Sequence, residues 1–540
     1  MKKCAAAVLL GLLGLTGLNA QVIHDPNDAL YRDIDRWSVR GYISSSLPLI
    51  RPYPAQLIDD LLTQAIENGN GEAREKAAYY KRAIAPGSRP IHPGITGSIE
   101  GLDGDLTALG SASLDGVVRV SDWIGTSYSM FLYASTKTPG NEYNVPGTYS
   151  PFPDLVEDTA DIGPFKMMQD WTSALGIGKP DFYFQSGLNR TSIGPFYDNG
   201  VVAGPQAARA GHFSLNYRRP KWSFEMLMLA LSASDDFGQK AFPEKYLMFH
   251  SFNFNPWPNF EFGFLESVVW GGRLEALYLV PFTNLFGAQA MSGDFADNSF
   301  LGFHIRWNAF RNMQFATQFY VDDFHVNDVM RLKFNTKYKL AAEAGLVWAP
   351  DAGLLSNLAA DYTMVFPYMY THWNTPDEDR YAGGPNYLNY SHMGRNLGTD
   401  LEPNSDRISV RTSWRTLPNL DLSLGAYFTR HANASDNILP GGYDPDDDSP
   451  DDNDKYHDGT IFDDGDAKDG NNYSYLRFLI QDNIDTRLAG SLGVKWTLPT
   501  VAGAFSLNAD YVLEYGWNRN LEKSNNGLTS YWSVGGSWHW

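Results

Sequence analysis

The stretch Gly503–Trp540, GAFSLNADYVLEYGWNRNLEKSNNGLTSYWSVGGSWHW, decides how the whole chain is read. In its first half Phe505, Leu507, Ala509, Tyr511, Leu513, Tyr515 and Trp517 alternate with Ser506, Asn508, Asp510 and Glu514. After a turn-rich break, Trp532, Val534, Gly536, Trp538 and Trp540 alternate with Ser533, Gly535, Ser537 and His539. Strict period-two alternation marks a strand with two unlike faces. A last strand that carries aromatics on its apolar face fits the closing strand of a membrane β-barrel, or else the edge of a soluble sandwich or propeller. The remainder of the chain decides between them.

Upstream of the wall, Lys2 and Lys3 precede an apolar run from Ala5 to Leu18, and Leu18-Asn19-Ala20 offers a cleavage site. Residues 1–20 therefore read as a secretory signal peptide, with a mature start at Gln21. The single cysteine, Cys4, lies within it. A mature chain without cysteine has neither disulfide scaffold nor cysteine nucleophile, so backbone pairing and burial must hold it. Net charge is −20, or −22 once Lys2 and Lys3 leave, which argues against nucleic acid as a partner. Trp 15, Tyr 30, Phe 31 and Gly 50 are dense for a chain whose mean hydropathy is slightly polar. After the leader no apolar run reaches the ~18 residues of a spanning helix. Such a balance suits a transmembrane β-barrel, in which alternate residues alone face lipid.

Residues 21–90 read differently. Asp28 caps a helix to Arg40 that carries Leu30, Ile34 and Trp37, with Gly41 just past its end. A second helix follows Pro54, with Leu57, Ile58, Leu61, Leu62, Ala65 and Ile66 on one stripe up to Asn68-Gly69. A third spans Glu72 to Ala85 and stops at Pro86-Gly87. Three short helices make too small a core to stand alone, so this unit is expected to dock on the barrel.

Residues 91–540 read as the barrel. The clearest strands are Val118–Val120 with Trp123, Tyr128–Tyr133, Asp181–Gly187 after a Pro-rich excursion (Lys137–Pro180), Phe213–Tyr217, Trp222–Met228, Leu301–Trp307 and Met313–Val321. Leu332–Leu340, Leu358–Phe366, Ile408–Trp414, Leu420–Phe428, Tyr475–Ile480 and Leu488–Leu498 continue them to the closing pair. Short turns alternate with long connections, as periplasmic turns and extracellular loops do. The expected fold is an all-β transmembrane antiparallel barrel of roughly 14 to 18 strands with a small N-terminal α-helical periplasmic domain, in an outer membrane of Gram-negative type. With an even strand count both barrel ends lie on one side, so the last strand should pair with Ile95–Leu102 and the helical unit should hang beside that seam. The alternate positions then face the lumen, among them Glu225, His304, Arg306, Gln314, Gln318, Asp322, Asp361, Arg407 and Arg411. Glu266 is a misfit, because it shares parity with Phe260, Phe262 and Phe264; either a bulge intervenes or the lipid face ends before it.

The stretch 444–469 holds twelve Asp against Lys455 and Lys468, half the chain's net charge. Its spacing does not fit a calcium loop, and it reads as a solvated surface loop. No H-E-x-x-H, G-x-S-x-G or Walker pattern is present, and neither a cofactor nor a resident metal is expected. Ser391-His392, or His372 near Asp377, would be the only seeds of a hydrolase site, and nothing joins nucleophile, base and orienting group.

Two longer tracts carry a resemblance. One is GLNRTSIGPFYDNGVVAGPQAARA (Gly187–Ala210), continued by FEFGFLESVVWGGRLEALYLVPF, DNSFLGFHIRW and FYVDDF; the other is FPYMYTHW (Phe366–Trp373) with NYLNYSHMGRNLGTDLEPNSD (Asn386–Asp406). In order along the chain, with LYRDIDRWSVRGYI and LPLIRPYP before them, they resemble the Wzi-type capsule-assembly family of outer-membrane proteins. The resemblance implies a monomeric barrel with a periplasmic helical bundle, lectin-like and not enzymatic, placed in outer-membrane lipid by the barrel-insertion machinery and in contact with surface polysaccharide. The positions it singles out are Arg190, Glu266, Arg273, Asp322, Asp323, Tyr368, Tyr370, His372, Trp373, Tyr390 and His392, with Gly194, Pro195, Asp297, Asn298, Gly394, Gly398, Asn404 and Asp406 around them. Tyr and Trp faces suit sugar rings, and Asp, Asn and Arg suit hydroxyls. A general solute channel is the alternative function, since both signs of charge line the lumen.

Overall fold

The structure, a computed structural model, describes residues 23–85, 90–137, 160–234, 241–293, 297–323, 331, 339–372, 385–417, 419–432, 478–480, 483–500 and 503–540. The leader, Trp373, Asp377 and the acidic stretch 444–469 lie outside the described residues.

Three helices come first. Helix α1 (Ala29–Arg40) starts at Asp28, whose side chain accepts from Leu30 N, and ends at Gly41, left-handed at φ 73°. Pro54 precedes α2 (Ala55–Asn68), and Asn70 caps α3 (Gly71–Ala83). Their apolar stripes meet in one core of Leu30, Tyr31, Ile34, Trp37, Leu57, Leu61, Leu62, Ala77 and Tyr80. That core also contains Val117 and Tyr183 of the barrel wall, so the unit completes its burial only against the barrel.

The wall begins with β1 (His92–Leu102), β2 (Asp105–Ser121), β3 (Ile124–Ser135), β4 (Phe165–Lys179), β5 (Phe182–Asn189) and β6 (Ala210–Arg219). It continues through β7 (Trp222–Ser234), β8 (Ala241–Trp257), β9 (Phe260–Gly271), β10 (Asn298–Phe310), β11 (Met313–Asp323) and β12 (Lys339–Trp348). It ends with β13 (Leu355–Val365), β14 (Ser405–Leu417), β15 (Leu420–Ala432), β16 (Ile484–Thr500), β17 (Gly503–Trp517) and β18 (Gly527–His539). Together they form a closed antiparallel barrel of 18 strands. Strand β18 pairs with β1 from Gly94↔His539 to Leu102↔Tyr531, so no edge is left open at the seam. Outward positions such as Trp171, Leu175, Phe264, Trp307, Leu488 and Val534 remain exposed, whereas inward positions such as Gln318, Glu343 and Ser533 are buried. A continuous exposed apolar band of this kind is the signature of a wall that faces lipid.

Local expectations fail in three places. Residues 165–179, read as part of a Pro-rich excursion, form β4; Trp171, Leu175 and Ile177 alternate outward with Ala174 and Gly176 inward. Of the expected strand Leu332–Leu340, residues 332–338 lie outside the described residues and only Lys339 and Leu340 fall in β12, which runs on to Trp348 although Ala341, Ala342, Ala344 and Gly345 carry almost no alternation; pairing on both sides makes it a strand. Residues 478–480 are not strand, since Leu479 turns at φ 50°.

The helical unit does not hang beside the seam. It lies across the short-turn mouth, touching the rim on many sides. Arg40 donates to Ala349 O (3.3 Å) and Ser356 O (3.2 Å), Tyr42 to Asp351 (2.8 Å) and Gln56 to Gly176 O (3.1 Å), while Asp59 pairs with Arg119 (3.3 Å). A small unit buries more surface across a mouth than beside a wall.

Candidate functional site

Between α1 and α2 the chain runs Leu47-Pro48-Leu49-Ile50-Arg51, extended because proline after Leu47 and Arg51 disfavours helix. This segment rises into the lumen. The buried Glu225 carboxylate, inward on β7, accepts from Leu49 N (3.0 Å) and Ile50 N (3.1 Å). Arg306 on β10 donates to Leu47 O (3.0 Å) and to the Tyr197 hydroxyl (3.1 Å). Ile50 and Arg51 pair as a short strand with Ile193 and Ser192, and Gln318 donates to Gly194 O (2.8 Å). The guanidinium of Arg51 lies 3.4 Å from the Tyr197 ring centroid and binds Asp35. Loop 190–209 is thereby folded inward.

Loop 366–404 follows it. Tyr370 and Tyr390 are fully buried, their rings stacked at 5.5 Å, and their hydroxyls donate to Val201 O (2.6 Å) and Val202 O (2.7 Å). His392 receives Ser232 N on Nδ1 (2.9 Å) and donates from Nε2 to Arg209 O (2.9 Å). Ser232 is free to donate because the β7–β8 register shifts between Leu231 and Ala233. Burial pushes the His392 imidazole down to about 4, with the positive charges of Lys245 and Arg209 acting in the same direction. Apolar inward residues Leu227, Leu229, Leu247, Phe249, Leu265 and Val269 close over these loops as one core.

Against β13–β18 the lumen stays open as a cavity of about 1910 Å³, larger than the roughly 300–1,000 Å³ of small-molecule pockets. Its wall alternates charge. Arg411 bridges Asp198 and Asp361 at 2.5 Å each, and Arg407 holds Asp400 at 2.7 Å. Burial opposes the charge of Asp400, but Arg407 outweighs it and keeps the carboxyl below its usual range. Asp28 of the helical unit also lines the cavity, and burial raises its carboxyl to about 6. Paired carboxylates and guanidiniums beside Tyr427 and Asn508 present many hydrogen-bonding groups to a hydroxylated ligand.

The residues singled out by resemblance therefore come apart. Tyr370, Tyr390 and His392 anchor the inward loops, so the expected offer of Tyr370 and Tyr390 faces to sugar is corrected: those faces are packed on each other. Tyr368 is buried, with φ 61°, and its carbonyl accepts from Thr371. Arg190 donates to the carbonyls of Pro205 (2.9 Å) and Ala207 (3.1 Å), closing its own loop. His372 lends its carbonyl to Asn386 (2.9 Å), Asp322 sits half-buried near the long-loop end of β11, and Asp323 ends that strand. Glu266 and Arg273 lie on the other side of the wall, outside the lumen. No bulge accounts for Glu266, since β9 and β10 pair without a shift from Phe260↔Trp307 to Val269↔Asn298. Residues 276–293 cover that part of the outer wall, and Glu266 accepts from Leu285 N (3.0 Å) there. Ser391 bonds Asn389 (2.8 Å) and Lys245 (3.3 Å), so its hydroxyl and the His392 ring point to different partners. Sequence reading missed Tyr197, Arg51 and Lys245; the proline-flanked LPLIRP between two helices was the available signal for the threaded segment.

A closed antiparallel barrel with an apolar exterior, a polar interior and short turns at one end defines an outer-membrane β-barrel. Among solved structures it is similar to Wzi, an outer membrane protein involved in group 1 capsule assembly in Escherichia coli and a carbohydrate-binding β-barrel (TM-score 0.56, 13% identity, 96% of this chain and 98% of that one). It is also similar to Pseudomonas aeruginosa OprD (TM-score 0.41, 10% identity, 84% and 94%) and Acinetobacter baumannii OccAB2 (TM-score 0.42, 12% identity, 84% and 97%). No family model and no curated protein sequence matches the chain. At these identities the likeness is one of fold.

Proposed function

We propose that this barrel binds or organises surface polysaccharide of the capsular type, without catalysis, and belongs with the Wzi-type proteins. The observation that carries the reading is that one flank of the lumen is filled: Glu225, Arg306 and Gln318, which would line a diffusion pore, hold Leu47–Ile50 and Gly194 instead. The fold likeness to a carbohydrate-binding barrel over nearly the whole chain and the ordered resemblance of its loops support it. The short-turn end, with the helical unit, then faces the periplasm, and glycan contact belongs to the long-loop end or the charged cavity. Export by the leader, insertion by the barrel machinery and a monomeric state are part of the same proposal.

Planar-bilayer recording and binding of purified protein to polysaccharide from the parent cell test it together. Near silence with saturable binding is expected. Large steady conductance without binding, and unchanged glycan retention after gene deletion, would overturn it in favour of the solute channel, a reading for which the cavity of about 1910 Å³ speaks.

A further inference from the structure

The segment after β9 does not behave as a surface loop. From Gly271 the chain descends the outside of the wall through a short 3-10 turn (Ala276–Leu279), reverses at Phe282, and returns as helix α4 (Leu285–Gly293) to β10. Beneath it lie Phe224, Met226, Met248, Val268 and Trp270, all outward on their strands and all buried, packed with Tyr278, Leu285 and Ala288.

Register and distance from the short turns locate it on the wall. Phe224 pairs with Phe252, Phe252 with Phe264 and Phe264 with Phe303, so the four share one row. Phe282 stacks on Phe224 at 4.1 Å, two residues above Trp222 at the short-turn end. In that same row Phe264 and Phe303 are bare, 60% and 42% exposed. Phe254, across from Trp222 at the short-turn end, is also exposed, so segment 272–293 reaches a level at which the neighbouring wall faces lipid.

Irregular backbone at that depth requires protein partners for its polar groups. It has them. Gly272 N donates to Glu244 O (2.9 Å), Leu277 N to the Glu275 side chain (3.1 Å), Leu285 N to Glu266 Oε2 (3.0 Å) and Gly287 N to Asn284 Oδ1 (2.6 Å). The carbonyls of Thr283 and Arg273 accept from His250 Nδ1 (3.1 Å) and Trp270 Nε1 (3.2 Å). His250 and Glu266, opposite each other in register and 3.4 Å apart, are polar residues on an outward face, and the segment seals them. Phe282 holds a left-handed φ of 65°, a strained conformation for a bulky residue, kept by its stack on Phe224. The side turned away from the wall shows Leu274, Leu277, Val280, Phe282, Phe286 and Met291, all exposed.

We propose that residues 272–293 form a re-entrant ridge immersed in the bilayer, with this apolar side contacting lipid acyl chains and Glu266 and His250 fastening its backbone to the wall. The exposed side continues the apolar band of the bare strands, which is why acyl chains are the partner assigned. The inference rests on the outer-membrane reading of the barrel.

Nitroxide labels test it, in a Cys4→Ser background, on Leu277→Cys, Phe286→Cys and Met291→Cys in lipid vesicles. Collision with oxygen and with a water-soluble nickel chelate is measured, with Phe303→Cys as the bare-wall control and Asp122→Cys as the aqueous one. Expected are high oxygen and low chelate accessibility at all three sites, as at Phe303→Cys. Chelate accessibility like that of Asp122→Cys would overturn the ridge, and shielding from both reagents would replace lipid with a protein partner. Should Phe303→Cys itself read as aqueous, the membrane assignment of the barrel fails with it. Adding Glu266→Ala should raise chelate accessibility at Met291→Cys several-fold while the barrel keeps its heat-modifiable mobility; no change would refute the fastening role.

Discussion

Glu225 shows what a single inward side chain does in this barrel. Its carboxylate is the acceptor for two consecutive amides of the threaded segment, Leu49 and Ile50. Glu225→Ala orphans both donors, at about 1–3 kcal/mol each. The expected outcome is a barrel of unchanged heat-modifiable mobility whose amides at 47–51 exchange hydrogen faster by mass spectrometry. His392 gives a pH dependence of definite sign. Its folded-state value is near 4 against 6.5 for a free imidazole, so on acidification the released loop takes up a proton before the folded one does. The stabilisation is whole above about 6.5 and is lost progressively below it, on the order of 3 kcal/mol by the bottom of the window. Protonated, Nδ1 would present a donor to the Ser232 N–H. Once the fall of the intrinsic exchange rate with pH is divided out, protection in peptides covering 385–404 should therefore drop between pH 7 and pH 5, and His392→Gln should flatten that response. An equally steep response in the variant would assign the effect to another group.

Among the elements, β18 carries closure. Its register with β1 runs nine pairs from Gly94↔His539 to Leu102↔Tyr531, Trp540 N donates to Pro93 O (3.0 Å) and His92 approaches Trp540 O (3.0 Å). Deleting Trp538–Trp540 removes the Ile95↔Trp538 and Gly94↔His539 pairs and the two contacts beyond them, leaving frayed edges at the seam. Loss of the heat-modifiable folded band and of membrane insertion is the expected result, and normal insertion would show that the seam closes without its last residues. The inward loops are elements of another kind, held both by groups on the wall such as Gln318 and Ser232 and by bonds to each other. Tyr370 and Tyr390 reach across to Val201 and Val202, which ties loop 366–404 to loop 190–209.

For the whole molecule, the helical unit and the barrel depend on each other. The unit finishes its core with Val117 and Tyr183, and the barrel gains a stopper at its short-turn mouth. A chain lacking residues 23–85 should insert and conduct ions more strongly than the intact chain, as measured in planar bilayers. Silence in the truncated chain would mean that the long loops alone occlude the lumen. The same deletion should lower the thermal transition of the barrel, because Glu225, Arg306 and Glu261 lose the partners they hold in the unit and the threaded segment.

The alternation of Phe505 to Trp517 was enough to make the wall legible, because lipid on one side and protein or water on the other impose period two on every strand that spans. Caps and stripes did the same for the helices, whose limits Asp28, Gly41, Pro54 and Gly69 mark locally. Strand β12 escaped because alanine and glycine carry no contrast between faces. What fills the lumen was beyond any periodicity. The bond from Leu49 to Glu225 joins residues 176 apart in sequence, and the choice of partner depends on which loops fold inward together. Tyr370, Tyr390, His392 and Glu266 could be named as polar or aromatic residues in special places, but an inward loop and an outer ridge gave them their partners. Sequence determined a membrane barrel with a helical unit at its start; tertiary structure alone decided that the unit stoppers the mouth, that the loops fill one flank of the lumen and that a charged cavity remains on the other, because those outcomes are set by contacts between distant residues and not by the solvent on either side of a strand.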